Sequence, residues 1–223
     1  MGGFVIAATG LVAEARIVER PGVRALSCGG RSDVLAESLR RAIADGAVGI
    51  VSFGIAGGLM EHLEPGACVI AEAVVCPAGV RYATDPEWRA KLHGRLGSAA
   101  ITGSIAGVDR PVGTCAAKQD LHRRTGAAVA DMESHVAARI AHEHALPFAA
   151  VRVVADPAHR ALPEAALNGM KADGSPDIPA VLRSLAAKPR QLPDLLRVAL
   201  DTRAALGALL RSHSLLAADL ARF

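Results

Sequence analysis

Between Phe148 and Val154 the chain reads Phe-Ala-Ala-Val-Arg-Val-Val, apolar at every position but one. A strand that is apolar on both faces must be covered on both faces, as happens in a parallel sheet with helices above and below it. Phe4–Ala8 and Val48–Phe53 have the same character, and amphipathic segments separate such runs along the chain. Ser32 stands where an N-cap would open a helix carrying Leu35, Leu39 and Ile43 on one face. Further strands are predicted over Ala25–Cys28, Cys68–Val75, Ala100–Ile105 and Ala127–Asp131, the second opened by a Pro65-Gly66 turn. Helices are predicted over Pro86–Leu96, Ala116–Arg124 and Glu133–His144. From Pro163 onward the pattern is helical, with a loop over Lys171–Pro179 and a helix near Leu192–Leu210. The expectation is an α/β fold. One domain spans residues 1–223 on a central mixed, mostly parallel twisted sheet covered by helices, its helical C-terminal part starting at about residue 163.

Composition narrows the classes of function. Hydrophobic residues make up 51% of the chain and aromatics 3%, so disorder is excluded and the core is built from Ala, Val and Leu. The net charge is +3 and the basic residues are spread out, whereas nucleic-acid binding wants a basic stripe. Cys28, Cys68, Cys76 and Cys115 form no CxxC pair and have no histidine at metal-ligand spacing, so they read as buried thiols of a reducing cytosol, with no metal site. The apolar start, Met1–Val12, lacks a basic n-region and is broken by Gly10 and then Glu14, so it reads as a first strand rather than a leader. A cytoplasmic location is expected.

Ligands of such sheets gather beyond the carboxyl ends of the strands. Four places qualify: Gly10, Gly54–Gly58, Asp131–Glu133 and Asp156. Asp156 ends the Val151–Ala155 run, where partial desolvation raises a carboxyl pKa and suits a proton donor; an Asp-Pro turn is the plainer reading. Asp131 and Glu133 stand at a strand-to-helix junction, where they either cap the helix or hold a sugar diol with Met132 as an adaptable floor. The Gly54–Gly58 turn lets backbone approach a ligand, but it lacks GxGxxG spacing and a dinucleotide site is not expected.

Taken together, Gly54-Ile55-Ala56-Gly57-Gly58-Leu59, Asp131-Met132-Glu133-Ser134 and Val151–Asp156 resemble the purine nucleoside phosphorylase and methylthioadenosine nucleosidase superfamily, over about Phe4 to Arg160. Gly10–Arg16, Ser52–Leu59 and Ala155–Arg160 look most like its hopanoid-associated phosphorylase branch.

The resemblance implies cleavage of the N-glycosidic bond of a purine nucleoside. Asp156 matches the acid that protonates the leaving base, Glu133 the carboxylate on the ribose hydroxyls, and Met132 the residue packed on the ribose. Ala56, Gly57, Pro111 and Val112 fall where the family holds the base. For the nucleophile, Gly10 and Arg31 are the candidates for a phosphate site, and Ile55 replaces a serine that binds phosphate or sugar in many relatives. Glu14 lies one residue from the glutamate that activates water in hydrolytic relatives, and Ala155 replaces a hydroxyl residue that orients the acid. Phosphorolysis is the expectation, with phosphate as co-substrate, no other cofactor, and adenosylhopane as a candidate substrate in hopanoid side-chain biosynthesis. A hydrolytic methylthioadenosine or adenosylhomocysteine nucleosidase is the alternative, and a nucleoside-binding protein without turnover the third reading. A homodimer or higher homo-oligomer is expected. The Leu- and Arg-rich helices after Val181 either face the core with Leu195, Leu196, Leu206, Leu209 and Leu210 or touch a membrane surface peripherally.

Overall fold

Among the described residues, the runs of Val, Ile and Ala become strands of one eight-stranded sheet. The computed structural model describes residues 3–76, 78–167, 169, 171 and 174–220. In chain order the elements are β1 (Phe4–Thr9), α1 (Val12–Val18), β2 (Val23–Ser27), α2 (Ser32–Ala44), β3 (Ala47–Gly58), β4 (Cys68–Val75) and β5 (Arg81–Ala83). They continue with α3 (Pro86–Leu96), β6 (Ala100–Gly107), α4 (Cys115–Thr125), β7 (Val129–Asp131), α5 (Ser134–Glu143) and β8 (Phe148–Asp156). The helical end holds α6 (Glu164–Leu167), α7 (Ile178–Ala187) and α8 (Leu192–Leu220).

β1 pairs in parallel with β2 and β3, and β8 lies parallel to β3 from Ile50↔Phe148 to Gly57↔Asp156. β4 is parallel to β6 and antiparallel to β5 and β8, while β7 runs parallel to β6 and antiparallel to the end of β3. The pairing therefore closes on itself: β3, β8, β4, β6 and β7 form a ring, with β1 and β2 continuing from β3. Mixed, mostly parallel pairing is as expected.

Alternate residues of the central strands feed two cores, as the two-residue period requires. Ile6, Ile50 and Val154 pack with Leu35 and Leu39 of α2 and Val136 and Ile140 of α5. Val5, Val51 and Val153 pack with Trp88 and Leu92 of α3 and Leu209 and Leu216 of α8. Trp88 is fully buried, and its indole N–H donates to the Asp219 carbonyl at 2.7 Å, which ties the end of α8 to α3.

The structure corrects several boundaries. Gly54–Gly58 is not a turn: β3 runs through it, because Gly57 and Gly58 pair with Ala130 and Val129 of β7. Arg81–Ala83 is a short edge strand and Val12–Val18 a helix, neither foreseen. α7 begins inside the expected Lys171–Pro179 loop, and α8 is 29 residues long. The expected apolar stripe of α8 divides: Leu209 is buried, but Leu196 and Leu210 are exposed. α7 buries none of its residues, and Ile178 and Leu182 stand 57% and 60% exposed. No helix among the described residues is long and apolar enough to cross a membrane.

Trp88→Ala should remove about 3–5 kcal/mol of stability, since it empties the contact between α3 and α8. Urea unfolding would read this as a lower midpoint at similar slope, and a cost below about 1 kcal/mol would refute the anchoring role.

Candidate active site

The carboxyl ends of β1, β3 and β8 and the β7–α5 junction open into one cavity of about 280 Å³. Asp156 and Glu133 both line it, as do Met132, Ala56, Gly57, Pro111, Val112, Gly10, Glu14 and Ile55. Arg31 does not. It is the N-cap residue of α2, about half exposed, and its guanidinium pairs with Asp33 at 3.2 Å on the outer surface. The phosphate role expected for it is therefore withdrawn.

At the centre lies a side chain that the sequence reading passed over. Arg152, in the middle of β8, is fully buried and paired with Asp131. Its Nη2 donates to Ser52 Oγ at 2.6 Å and lies 3.5 Å from Glu133 Oε2. The missed signal was the single charge in an otherwise apolar run, because a central strand has nowhere to put an arginine except against buried anions. The same cluster explains the junction. Asp131 Oδ1 accepts the Ser134 N–H at 3.0 Å and so caps α5, while Glu133, the N-cap residue, makes no side-chain cap. Capping was thus the right reading for Asp131, and it leaves Glu133 free to face the cavity. Burial pushes the Glu133 carboxyl up to about 8; Arg152 opposes this, and Asp131 and Glu14 add to it.

Glu14 is buried in the first turn of α1, and every oxygen of its carboxylate is occupied by backbone. Oε2 accepts the Gly10 and Leu11 N–H groups, each at 2.8 Å, and Oε1 accepts the Ile55 N–H at 2.7 Å. Burial raises its pKa, against the Arg152 charge and these three bonds. The carboxylate fits only because residue 54 is glycine: a Cβ there would stand 2.5 Å from Arg152 Nη1 and 2.6 Å from Glu14 Oε1. Gly10 and Ile55, read as parts of a phosphate cradle, are instead ligands of a carboxylate supplied by the chain.

Asp156 closes the other side. Its carboxyl is raised by burial, opposed by the Lys118 ammonium, whose Nζ lies 2.6 Å from Oδ2. Lys118 carried no sequence signal, since a lysine on a polar helix reads as surface. The remaining wall is mostly apolar and comes from Val108, Pro111 and Val112 after β6, from Leu162 of the loop after β8, and from Leu167 and Val198 of the helical end. His135, in the first turn of α5, is buried and pairs with Asp109 at 3.1 Å.

A model of the phosphorylase superfamily matches residues 13–175, more than half of the chain. The chain belongs to the phosphorylase superfamily. As a member it is an enzyme of that superfamily. No curated protein matches the sequence. Among solved structures, a variant of the Helicobacter pylori methylthioadenosine nucleosidase holding 5′-methylthioadenosine is 14% identical, with a TM-score of 0.66 over 96% of this chain and 99% of that one. The Streptococcus pyogenes S-adenosylhomocysteine nucleosidase, complexed with 5-methylthiotubericidin, is 17% identical, with a TM-score of 0.65 over 90% and 98%. The Helicobacter pylori futalosine hydrolase is 15% identical, with a TM-score of 0.64 over 95% and 97%. At these identities they establish the shared fold of the superfamily.

Arg152→Met should destabilise the protein by about 3–5 kcal/mol, because Asp131, Glu133 and Glu14 are left buried with no facing cation. Denaturant unfolding measures this, and a loss below about 1 kcal/mol would contradict the central role given to the guanidinium.

Proposed function

We propose that this superfamily member hydrolyses the N-glycosidic bond of a purine nucleoside bearing an apolar 5′ substituent, using water rather than phosphate as the nucleophile. What carries the reading is the seat of Glu14. Phosphorolysis needs backbone N–H groups and a fixed positive charge free to receive an anion. Here the Gly10, Leu11 and Ile55 N–H groups are spent on the Glu14 carboxylate, and the Arg152 charge beside them already faces Asp131 and Glu133. A carboxylate held this way, with its pKa raised by burial, suits a base that draws a proton from water.

The chemistry then divides among three carboxyl groups around one sugar. Asp156 gives its proton to the purine as the bond from C1′ to the base nitrogen breaks and its electron pair passes to the base. Water bonds to C1′ from the opposite side and loses a proton to Glu14. Glu133 accepts hydrogen bonds from the ribose hydroxyls, which tighten as positive charge builds on the sugar. Met132 lies beside Glu133 as the floor under the ribose, and Ala56, Gly57, Pro111 and Val112 border the base. The apolar Leu162, Leu167 and Val198 support an apolar group at the 5′ position. Adenosylhopane, one member of that class, rests on the sequence resemblance alone.

Adenine release from 5′-methylthioadenosine should proceed unchanged with and without phosphate, leaving free pentose. Dependence on phosphate, or a sugar 1-phosphate product, would overturn the reading. Asp156→Asn and Glu14→Gln should each lower kcat by about 10²-fold or more. The profile of kcat/KM against pH should be a bell. It falls on the acid side as the Glu14–Glu133 group, which must be ionised, takes up a proton, and on the alkaline side as Asp156, which must be protonated, loses its own, and both limbs belong to the interacting carboxyls together.

A further inference from the structure

The scheme above leaves one buried cation without a task. Lys118 projects from α4 and is 0% exposed, although that helix is otherwise largely polar. Its Nζ stands 2.6 Å from Asp156 Oδ2 and donates to the carbonyls of Pro157 at 2.8 Å and Arg160 at 3.0 Å. An ammonium removed from water at this cost needs a compensating arrangement, and here every donor is directed at Asp156 or at the loop that follows it. Lys118 also borders the substrate cavity. The residue before Asp156 is Ala155, which has no polar side-chain atom with which to orient a carboxyl.

The other charged groups near Asp156 do not perform this function. Asp201 of α8 approaches from the far side with like charge, and it is paired with Arg160 of the loop after β8. Asp194 and Arg197, from the first turns of α8, pair with each other and border the smaller cavity behind Asp156. Glu133 of the β7–α5 junction lines the same substrate cavity as Asp156. β3 presents only backbone: a Cβ on Gly57 would stand 3.3 Å from Asp156 Oδ2.

We propose that Lys118 is a positioning residue for glycosidic cleavage, holding Asp156 Oδ2 so that Oδ1 presents its proton to the leaving base. Its positive charge stabilises the carboxylate left behind when that proton moves. Lys118 keeps its own protons throughout, so the only proton transferred to the base comes from Asp156. This inference rests on the reading of Asp156 as the acid and is independent of whether water or phosphate attacks C1′.

The test uses the full chain and adenine release from 5′-methylthioadenosine across pH. Lys118→Met should lower kcat by about 100-fold, as loss of one charge-stabilising donor does, with a smaller change in KM. Because an opposite charge at this distance holds a carboxyl down by about 1–3 pH units, its removal should raise the limb that Asp156 sets, recognised as the one that Asp156→Asn abolishes, by about one unit or more. Lys118→Arg should return the limb to its wild-type position. In an Asp156→Asn background, Lys118→Met should cost nothing further in kcat, because Lys118 acts through the acid. An unmoved Asp156 limb in a folded Lys118→Met protein would overturn the proposal, as would an added loss in the double variant. If Lys118→Met does not fold, the Lys118→Arg profile decides: a limb displaced from wild type counts against the proposal and a matching limb supports it. Failure of the nucleoside reading itself would look different, since the wild type would then release no adenine at any pH.

Discussion

The site is organised by a guanidinium that water does not reach. Arg152 stands in the middle of a strand that is otherwise apolar up to its last residue, Asp156, and Asp131, Glu133 and Glu14 are the anions around it. Each of these charges alone would be costly to bury, and the arrangement holds because the cation and the anions compensate one another. Ser52 and Ser134 supply hydroxyls to the same cluster, and Gly54 leaves the space it occupies. The closure of β3, β8, β4, β6 and β7 into a ring makes this geometry possible. It brings the end of β7 and the start of α5 over the ends of β3 and β8, so carboxylates far apart in sequence share one floor.

A second compensated pair, Lys118 with Asp156, lies on another part of the cavity wall. The two clusters divide the labour in a physically sensible way. On one side Glu14 and Glu133 are raised by burial and remain close to a fixed positive charge, which suits groups that hold hydroxyls or take a proton. On the other, a single carboxyl is raised by burial and opposed by one ammonium, which suits a group that gives a proton and must then bear the charge. The sugar bridges the two.

Much of the fold was legible because its strands are apolar on both faces and its helices alternate with them, as in Phe148–Val154 and Leu35–Leu39–Ile43. Arg81–Ala83 was not, since three residues with a charge at the edge of a sheet carry no period. Gly54–Gly58 misled because glycines signal turns by composition, whereas here they allow β3 to pass close to Glu14 and β7. In the site, Asp156 and Glu133 could be found from their places at strand ends, and the structure brings them to one cavity. Arg31 was legible only as a charge near a loop, and its side chain turns outward to Asp33. Lys118 and Arg152 were hidden for opposite reasons. One looked like ordinary surface and the other like an interruption, and only tertiary packing shows that both are buried against anions.

The most direct measurement is chemical rescue of Glu14→Ala. That change vacates the cradle formed by the Gly10, Leu11 and Ile55 N–H groups beside Arg152. Adenine release should fall sharply and then recover, saturably, as formate is added to restore a carboxylate in the empty seat. Wild-type turnover by Glu14→Ala without any added anion would contradict the account.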